Sequence, residues 1–282
     1  MAVVFALCCL ACSAINDFIF KLFADRPMSR GIFFSLIGVI LALTMMFAID
    51  LQAVRENLTN TLIWGSAAAL FSIVGNVLLI EAMGLLSAGI CSTIYRLNLI
   101  FVVPGAMLFF GEHLTSMQLC GVAFAVLAIV LFSFSSMIGA KKSSLLGMVI
   151  IITAALLRAG MGLSYKKAFL CGVDEWTLGF INGIFWIVGG VIYARMKDGK
   201  IKLPDLRTIG FSAVSGIFVS GIVFFMAKSL QAGAAGVVLS IAQMSFLGTL
   251  FLSVLFLKEK LEKFKIAGII CGVAAILLLA LK

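Results

Sequence analysis

Phe109-Phe110-Gly111-Glu112-His113-Leu114 closes one long apolar run, and Phe256-Leu257-Lys258-Glu259-Lys260-Leu261 closes another. The two glutamates stand 147 residues apart, and the likeness extends to either side of them. At that fixed offset Ala88, Gly89, Ile94, Leu108, Phe109, Leu114 and Gly121 meet identical residues at Ala235, Gly236, Ile241, Leu255, Phe256, Leu261 and Gly268, without a gap. Self-similarity at one offset marks a duplicated unit. The chain reads as two copies, residues 1–140 and 141–282.

Composition says where those copies live. Of 282 residues, 63% are hydrophobic and 12% charged, against about 25% charged in an ordinary soluble domain; mean hydropathy is +1.23. This is the composition of a bilayer protein. A hydrocarbon core about 30 Å thick takes about 20 apolar residues of helix, which cuts the chain into segments near 2–22, 31–50, 61–83, 87–110, 116–136, 145–171, 174–196, 207–231, 233–257 and 262–281. Five segments fall in each copy, so the second copy enters from the opposite side. The expected fold is an all-α membrane protein with ten transmembrane helices in two inverted five-helix repeats. Pro104 should kink the fourth helix, and its counterpart Phe251 should not kink the ninth.

Charge is distributed unevenly between the spans. The formal charge is +9, and most Lys and Arg residues sit in the loops after spans one, five, seven and nine. The other side holds Arg55, Lys166, Lys167, Lys228 and Lys282. The positive-inside rule puts the richer side in the cytoplasm and both termini outside. With no basic face interleaved with aromatics, nucleic acid is not an expected partner; anionic headgroups are. Residues 2–22 follow no basic region and precede no small-residue cleavage site, so they read as a retained first span. Seven scattered cysteines, nearly all inside apolar runs, suggest small buried hydrophobes rather than disulfides or a metal site.

Ionisable residues within spans are functional candidates, because a charge at mid-bilayer costs about 2.5–3.5 kcal/mol even on lenient scales. Arg96 lies about 14 Å inside Ser87 and Arg158 about 20 Å inside Leu145, at about 1.5 Å per residue. At about 100° per residue, Ser92, Thr93 and Arg96 share a face of the fourth helix while Asn98 points away. The matching face of the ninth carries Ser240 and Gln243. The repeat axis would set Thr93 and Arg96 opposite Ser240 and Gln243. Arg158 aligns with Tyr165 on the sixth helix, and Asn182, Trp186 and Tyr193 align on the seventh. Together these outline a polar, partly aromatic substrate cavity. Asp17 and Glu81 are the acids available for proton or ion coupling, or for tying the arginines down, and Asp17 has Lys21 as an i+4 partner. Glu112 and Glu259 stand at loop entrances and suit gating or helix capping. The stripes Gly121-x-x-x-Ala125 and Gly268-x-x-x-Gly272 permit close helix approach, within the bundle or in a homodimer.

Catalytic patterns are missing. His113 is the only histidine, which leaves no His-dependent triad or zincin motif. No Walker loop or Gly-x-Ser-x-Gly elbow occurs. An enzyme is not expected, and neither are cofactors or metals.

Ten spans in two copies, with Gly111-Glu112-His113-Leu114 closing a fourth helix and a glycine-containing fifth helix following, resemble the drug/metabolite transporter superfamily, in particular its EamA-like members. Lys258-Glu259-Lys260-Leu261 departs from the family's Gly-Glu-x-Leu pattern at the glycine. The resemblance implies a central cavity lined by helices 1–4 and 6–9, helices 5 and 10 at the periphery, alternating access without ATP, and cytoplasmic termini, against the charge count. Small multidrug members use a glutamate deep in the first helix, where this chain has only Asp17 near the end. Two arginines and few acids favour a carboxylate or phosphate instead. The expected function is export or exchange of a small polar metabolite, an amino acid or other carboxylate, across a bacterial inner membrane, with protons or a counter-substrate as partners. Sugar, nucleotide-sugar or drug transport, and a non-transporting scaffold, are the alternatives.

Overall fold

The computed structural model describes residues 1–23, 29–86, 88–137, 144–199, 204–258 and 263–281. Every regular element among them is helical: α1 (Ala2–Phe23), α2 (Arg30–Met46), α3 (Leu51–Glu56), α4 (Leu58–Asn60), a π turn (Thr61–Gly65), α5 (Ser66–Leu85), α6 (Ala88–Arg96), α7 (Leu99–Phe110), α8 (Ser116–Met137), α9 (Leu145–Leu170), α10 (Glu175–Asp198), α11 (Leu206–Ala232), α12 (Ala235–Ala242), α13 (Ser245–Leu257) and α14 (Lys263–Ala280). Eight stretches among the described residues are long and apolar enough to cross a membrane, and two shorter apolar helices, Arg30–Met46 and Ser116–Leu131, stand among them. Leu108, Phe109, Phe251, Phe256 and Leu277 are largely exposed. In lipid such residues are solvated by acyl chains, while each helix satisfies its own backbone. The chain is an integral multi-pass membrane protein.

The helices end where local chemistry stops them. α2 stops at Met46, short of the expected Ala48–Asp50, because Asp50 caps the next helix: its Oδ1 accepts from Gln52 N at 2.9 Å and Ala53 N at 3.1 Å. Asp205 caps α11 in the same way, accepting from Thr208 N at 3.0 Å, and those hydrogen bonds to Thr208 hold its carboxyl below the usual range. Gly111 closes α7 in the left-handed region at φ 62°, and Lys258 closes α13 there at φ 52°. The glycine of the Gly-Glu-x-Leu signature is thus the residue that this cap favours, and lysine tolerates it at a cost of about 1 kcal/mol. Lys258→Gly is expected to stabilise the protein by about 1 kcal/mol, read as a rise in thermal unfolding temperature; a fall would contradict the cap argument.

The most extensive helix contacts are α2 with α10, α8 with α14, α5 with α9, and α1 with α11. Each joins an element before residue 140 to one after it. Small residues make the closest of these possible. A Cβ on Gly38 would lie 2.7 Å from Ile187 N and one on Gly190 2.6 Å from Gly31 O, so α2 and α10 touch backbone to backbone. In lipid, where hydrophobicity does not drive helices together, such close packing does. Gly121 of α8 sits against Leu279 of α14, so this small-residue stripe serves the bundle itself. The end that carries the chain termini is fixed by contacts: Ala2 packs at Gly233, and Gln118 Nε2 donates to Leu281 O at 3.4 Å.

The helices expected as the fourth and ninth spans are each broken. Leu97 and Asn98 separate α6 from α7, where Asn98 N bonds Tyr95 O and Ile100 N bonds Leu97 O; Gln243 and Met244 separate α12 from α13, where Met244 N bonds Ile241 O and Leu247 N bonds Met244 O. These are three-residue steps in place of four. The break precedes Pro104 by two turns and recurs at the same offset in the ninth span, which has no proline. A proline is therefore not needed for this break, and α13 runs on through Phe251 without interruption, as expected of that position.

Candidate functional site

Non-helical backbone at membrane depth survives only where protein or water satisfies it, and here side chains do so. Arg96, the last residue of α6, reaches across to the other break. Its Nη1 donates to Gln243 O at 3.1 Å and to Ser245 Oγ at 2.8 Å, and its Nη2 pairs with Asp17 Oδ2 at 2.7 Å. Ser245 Oγ also donates to Asp17 Oδ2 at 3.1 Å. In return Gln243 Nε2 donates to Asn98 Oδ1 at 3.3 Å, and Asn98 Nδ2 donates back to Tyr95 O at 2.8 Å, occupying a carbonyl at the break. The Arg96 guanidinium also lies 5.8 Å from the Phe246 ring centre. Asp17, Arg96, Asn98, Gln243 and Ser245 therefore form one knot linking α1, α6 and the break of the ninth span.

Two sequence expectations change here. Asn98 does not point away: it is buried and takes part in the knot. Ser245 was missing from the expected set, although it stands 147 residues after Asn98, the offset that aligns Glu112 with Glu259. Asp17 spends its carboxylate on Arg96, so its charge is already matched.

Arg158 on α9 is different. No carboxylate among the described residues pairs with it, and its guanidinium stacks 5.6 Å from the centre of the Tyr95 ring. Its charge reaches Cys9, Tyr95 and Tyr165. Asn182 Nδ2 donates to Tyr165 Oη at 2.6 Å with both residues buried. Two buried polar atoms here, the Tyr95 hydroxyl and Asn182 Oδ1, have no hydrogen-bond partner. Turning the Asn182 amide over leaves its nitrogen unpaired instead, so one half of that amide is orphaned either way. Orphaned buried polar groups are rare and call for a partner.

The other expected residues lie elsewhere. Thr93 is buried and Ser92 half-buried on α6. Ser240 is fully buried and turns its hydroxyl onto Gly236 O of its own helix at 2.6 Å. Trp186 donates to Ser72 Oγ at 2.9 Å and packs edge-on to Phe34 in a separate apolar cluster with α2. Glu81 lies at the end opposite the termini, accepting from Tyr193 Oη at 2.8 Å and Lys197 Nζ at 2.7 Å. It lines a recess of about 320 Å³ with Arg30, Gly31, Gly84 and Asp198, away from the knot. Lys228, at the same offset of 147 from Glu81, pairs with Glu175.

At the terminus-bearing end, Glu112 accepts from Ala235 N at 2.6 Å and Gly236 N at 3.1 Å. A carboxylate on the first amides of a helix satisfies orphan donors and faces the positive end of the dipole. Lys166, which the sequence reading left among loop charges, holds the preceding helix end, donating to Leu230 O at 2.7 Å and Gly233 O at 2.6 Å. The turn between α11 and α12 is thus gripped by a base on its carbonyls and an acid on its amides. Glu259 lies outside the described residues. No group of three or more His, Cys, Asp or Glu side chains among the described residues could hold a metal ion.

Comparison with known proteins agrees with this architecture. No curated protein matches the sequence. A solved crystal structure, described only as that of a protein, superposes with a TM-score of 0.80 over 99% of this chain and 96% of its own, at 11% identity, a likeness of fold alone. The EamA-like transporter family matches over residues 1–134 and again over 145–281. On that near-complete coverage, the chain belongs to the EamA-like transporter family.

Proposed function

We propose that the chain is a secondary transporter that moves a small polar metabolite, an amino acid or other carboxylate, by alternating access, as an exporter or exchanger. Its ten spans would form two inverted five-helix repeats, residues 1–140 and 141–282. One observation carries the reading: Arg96 donates to Ser245 while Gln243 donates to Asn98, and the donors and the acceptors of these two bonds each stand 147 residues apart. Exchanged contacts of this kind are what a two-fold interface makes. Helix ends recur at the same offset, Phe23 with Leu170, Leu85 with Ala232 and Phe110 with Leu257. Broken helices meeting at a repeat axis are where secondary transporters bind cargo. Rocking one copy against the other about this knot would present the same polar centre to each side in turn.

Glu112 and Lys166 hold the terminus-bearing end shut in this arrangement. If protons are coupled, Asp17 is the acid at the centre; Glu81 is remote from it. Trp186 is occupied by Ser72 and Phe34 in a separate cluster, so it offers no stacking platform for a sugar ring at the knot. The bacterial inner membrane is the proposed location, since helical rather than β-barrel spans suit it. The test is release from proteoliposomes loaded with amino acids, monocarboxylates, sugars and nucleotide sugars, with ATP absent and the medium followed by mass spectrometry. A transporter releases one chemical class faster than protein-free vesicles do. A scaffold releases none, and an enzyme changes masses without moving them.

A further inference from the structure

The two membrane arginines have different fates, and the difference points to what the cargo carries. Arg96 is neutralised: its guanidinium is divided among the Asp17 carboxylate, Ser245 Oγ and Gln243 O. Arg158 has no carboxylate among the described residues; it stacks on the face of Tyr95 and approaches that residue's hydroxyl too loosely to make a full hydrogen bond. Beside it are a buried hydroxyl without a partner on Tyr95 and a half-satisfied amide on Asn182, which Tyr165 holds in place. The other copy has no such arginine: the position equivalent to Arg158 is Ala11, and those of Tyr165 and Asn182 are Phe18 and Ser35. The bond from Arg96 to Ser245 is answered across the repeat by the bond from Gln243 to Asn98, whereas Arg158 has only the apolar Ala11 at the equivalent place, so it takes no part in that exchanged crossing.

Resting on the transporter reading above, we propose that Arg158 is the anchor for the single carboxylate of a monoanionic or zwitterionic cargo, with the Tyr95 hydroxyl and Asn182 amide as its polar neighbours, and that Arg96 is a positioning residue that holds the two broken spans together. One unmatched positive charge selects one carboxylate. A dianion would bring in a second negative charge that nothing here offsets, and a cation would be repelled. The planar guanidinium can take a carboxylate through two parallel N–H bonds, which lysine cannot reproduce.

The test uses the purified full-length protein in nanodiscs and needs no transport, so its failure would leave the transporter reading standing. Thermal unfolding is followed for the wild type, Arg158→Met, Arg158→Lys and Arg96→Met, in chloride and with sodium acetate replacing chloride at equal ionic strength; acetamide is the uncharged control. Arg158→Met is expected to unfold at the same temperature as wild type or higher, since it removes an unmatched charge. Arg96→Met should unfold about 3 °C or more lower, since it strands Asp17. Acetate, but not acetamide, should raise the wild-type unfolding temperature, Arg158→Lys should show a smaller rise, and Arg158→Met none. If Arg158→Met lowers the unfolding temperature as Arg96→Met does, Arg158 is a structural tie and the proposal is overturned. It is equally overturned if acetate has no effect on the wild type or the same effect on Arg158→Met.

Discussion

Asp17→Asn is expected to destabilise the protein by about 1–3 kcal/mol, Arg96→Met by a similar amount, and the double variant by much less than the sum of the two. Breaking a fully buried ion pair costs about 3–5 kcal/mol, because the surviving partner is left uncompensated. Here the side chains of Arg96 and Asp17 are 21% and 33% exposed, so water screens part of that loss and the figure falls. What remains is large for two residues, because the pair also carries Ser245 and the carbonyl of Gln243. Losing Asp17 leaves the guanidinium with neutral partners only; losing both ions leaves Ser245 free to bond locally. The double-mutant cycle should therefore give a coupling of about 1–2 kcal/mol. Additive losses would mean that the two side chains do not act as a unit, and that the knot is not what joins the breaks.

The second large effect concerns Glu112. Glu112→Gln keeps the shape of the side chain but removes its charge and one of two acceptors at Ala235 and Gly236. A charge-assisted cap at a helix N-terminus contributes about 1–2 kcal/mol. On the proposed alternating-access reading that energy acts on the equilibrium between the two forms, and about 1.4 kcal/mol moves it tenfold. The variant should populate the form opened at the terminus-bearing end about tenfold more, with faster amide exchange across residues 230–236. Lys166→Met should act in the same direction, because it releases Leu230 O and Gly233 O. At the other end the position equivalent to Lys166 is Ile19. No lysine thus stands at the equivalent place, and on the proposed reading this asymmetry biases the resting protein toward closure at the terminus-bearing end.

Much of this architecture is legible in the chain because hydropathy and length are coarse signals that tertiary packing does not override. The spans appear within a few residues of where apolar length puts them, and the offset of 147 that aligns Glu112 with Glu259 also aligns Arg96 with Gln243, which the structure bonds to each other. The miss at Asn98 comes from the break. A wheel of about 100° per residue assumes an unbroken helix, and the break at Leu97–Asn98 resets its phase, so Asn98 turns inward instead of away. Nothing local announces that break: Pro104 is two turns off, and the ninth span breaks without a proline. The signal was relational, since Asn98 and Ser245 share the offset and both carry hydrogen-bonding groups within apolar runs. Asp17 reads as a partner for Lys21 because sequence shows only i+4 neighbours, whereas a guanidinium at membrane depth draws in a carboxylate from another helix. Trp186 and Asn182 do lie one turn apart, but the side of α10 that bears Trp186 packs on α2, where Phe34 waits. Lys166 is hidden for a different reason: a lysine one turn from a helix end looks like a loop charge until the neighbouring turn is folded against it.

The most direct test of the alternating-access account is a pair of spin–spin distances, measured in nanodiscs on variants lacking the native cysteines. One pair, at Met117 and Gln231, spans the terminus-bearing end; the other, at Gly84 and Gly210, spans the opposite end, where an added side chain meets no neighbour. On going from wild type to Glu112→Gln, the distance at Met117–Gln231 is predicted to gain a longer population and that at Gly84–Gly210 a shorter one, in equal proportion. If one end moves while the other stays fixed, or both move in the same sense, the two copies do not rock about the Arg96–Gln243 crossing and the account is wrong.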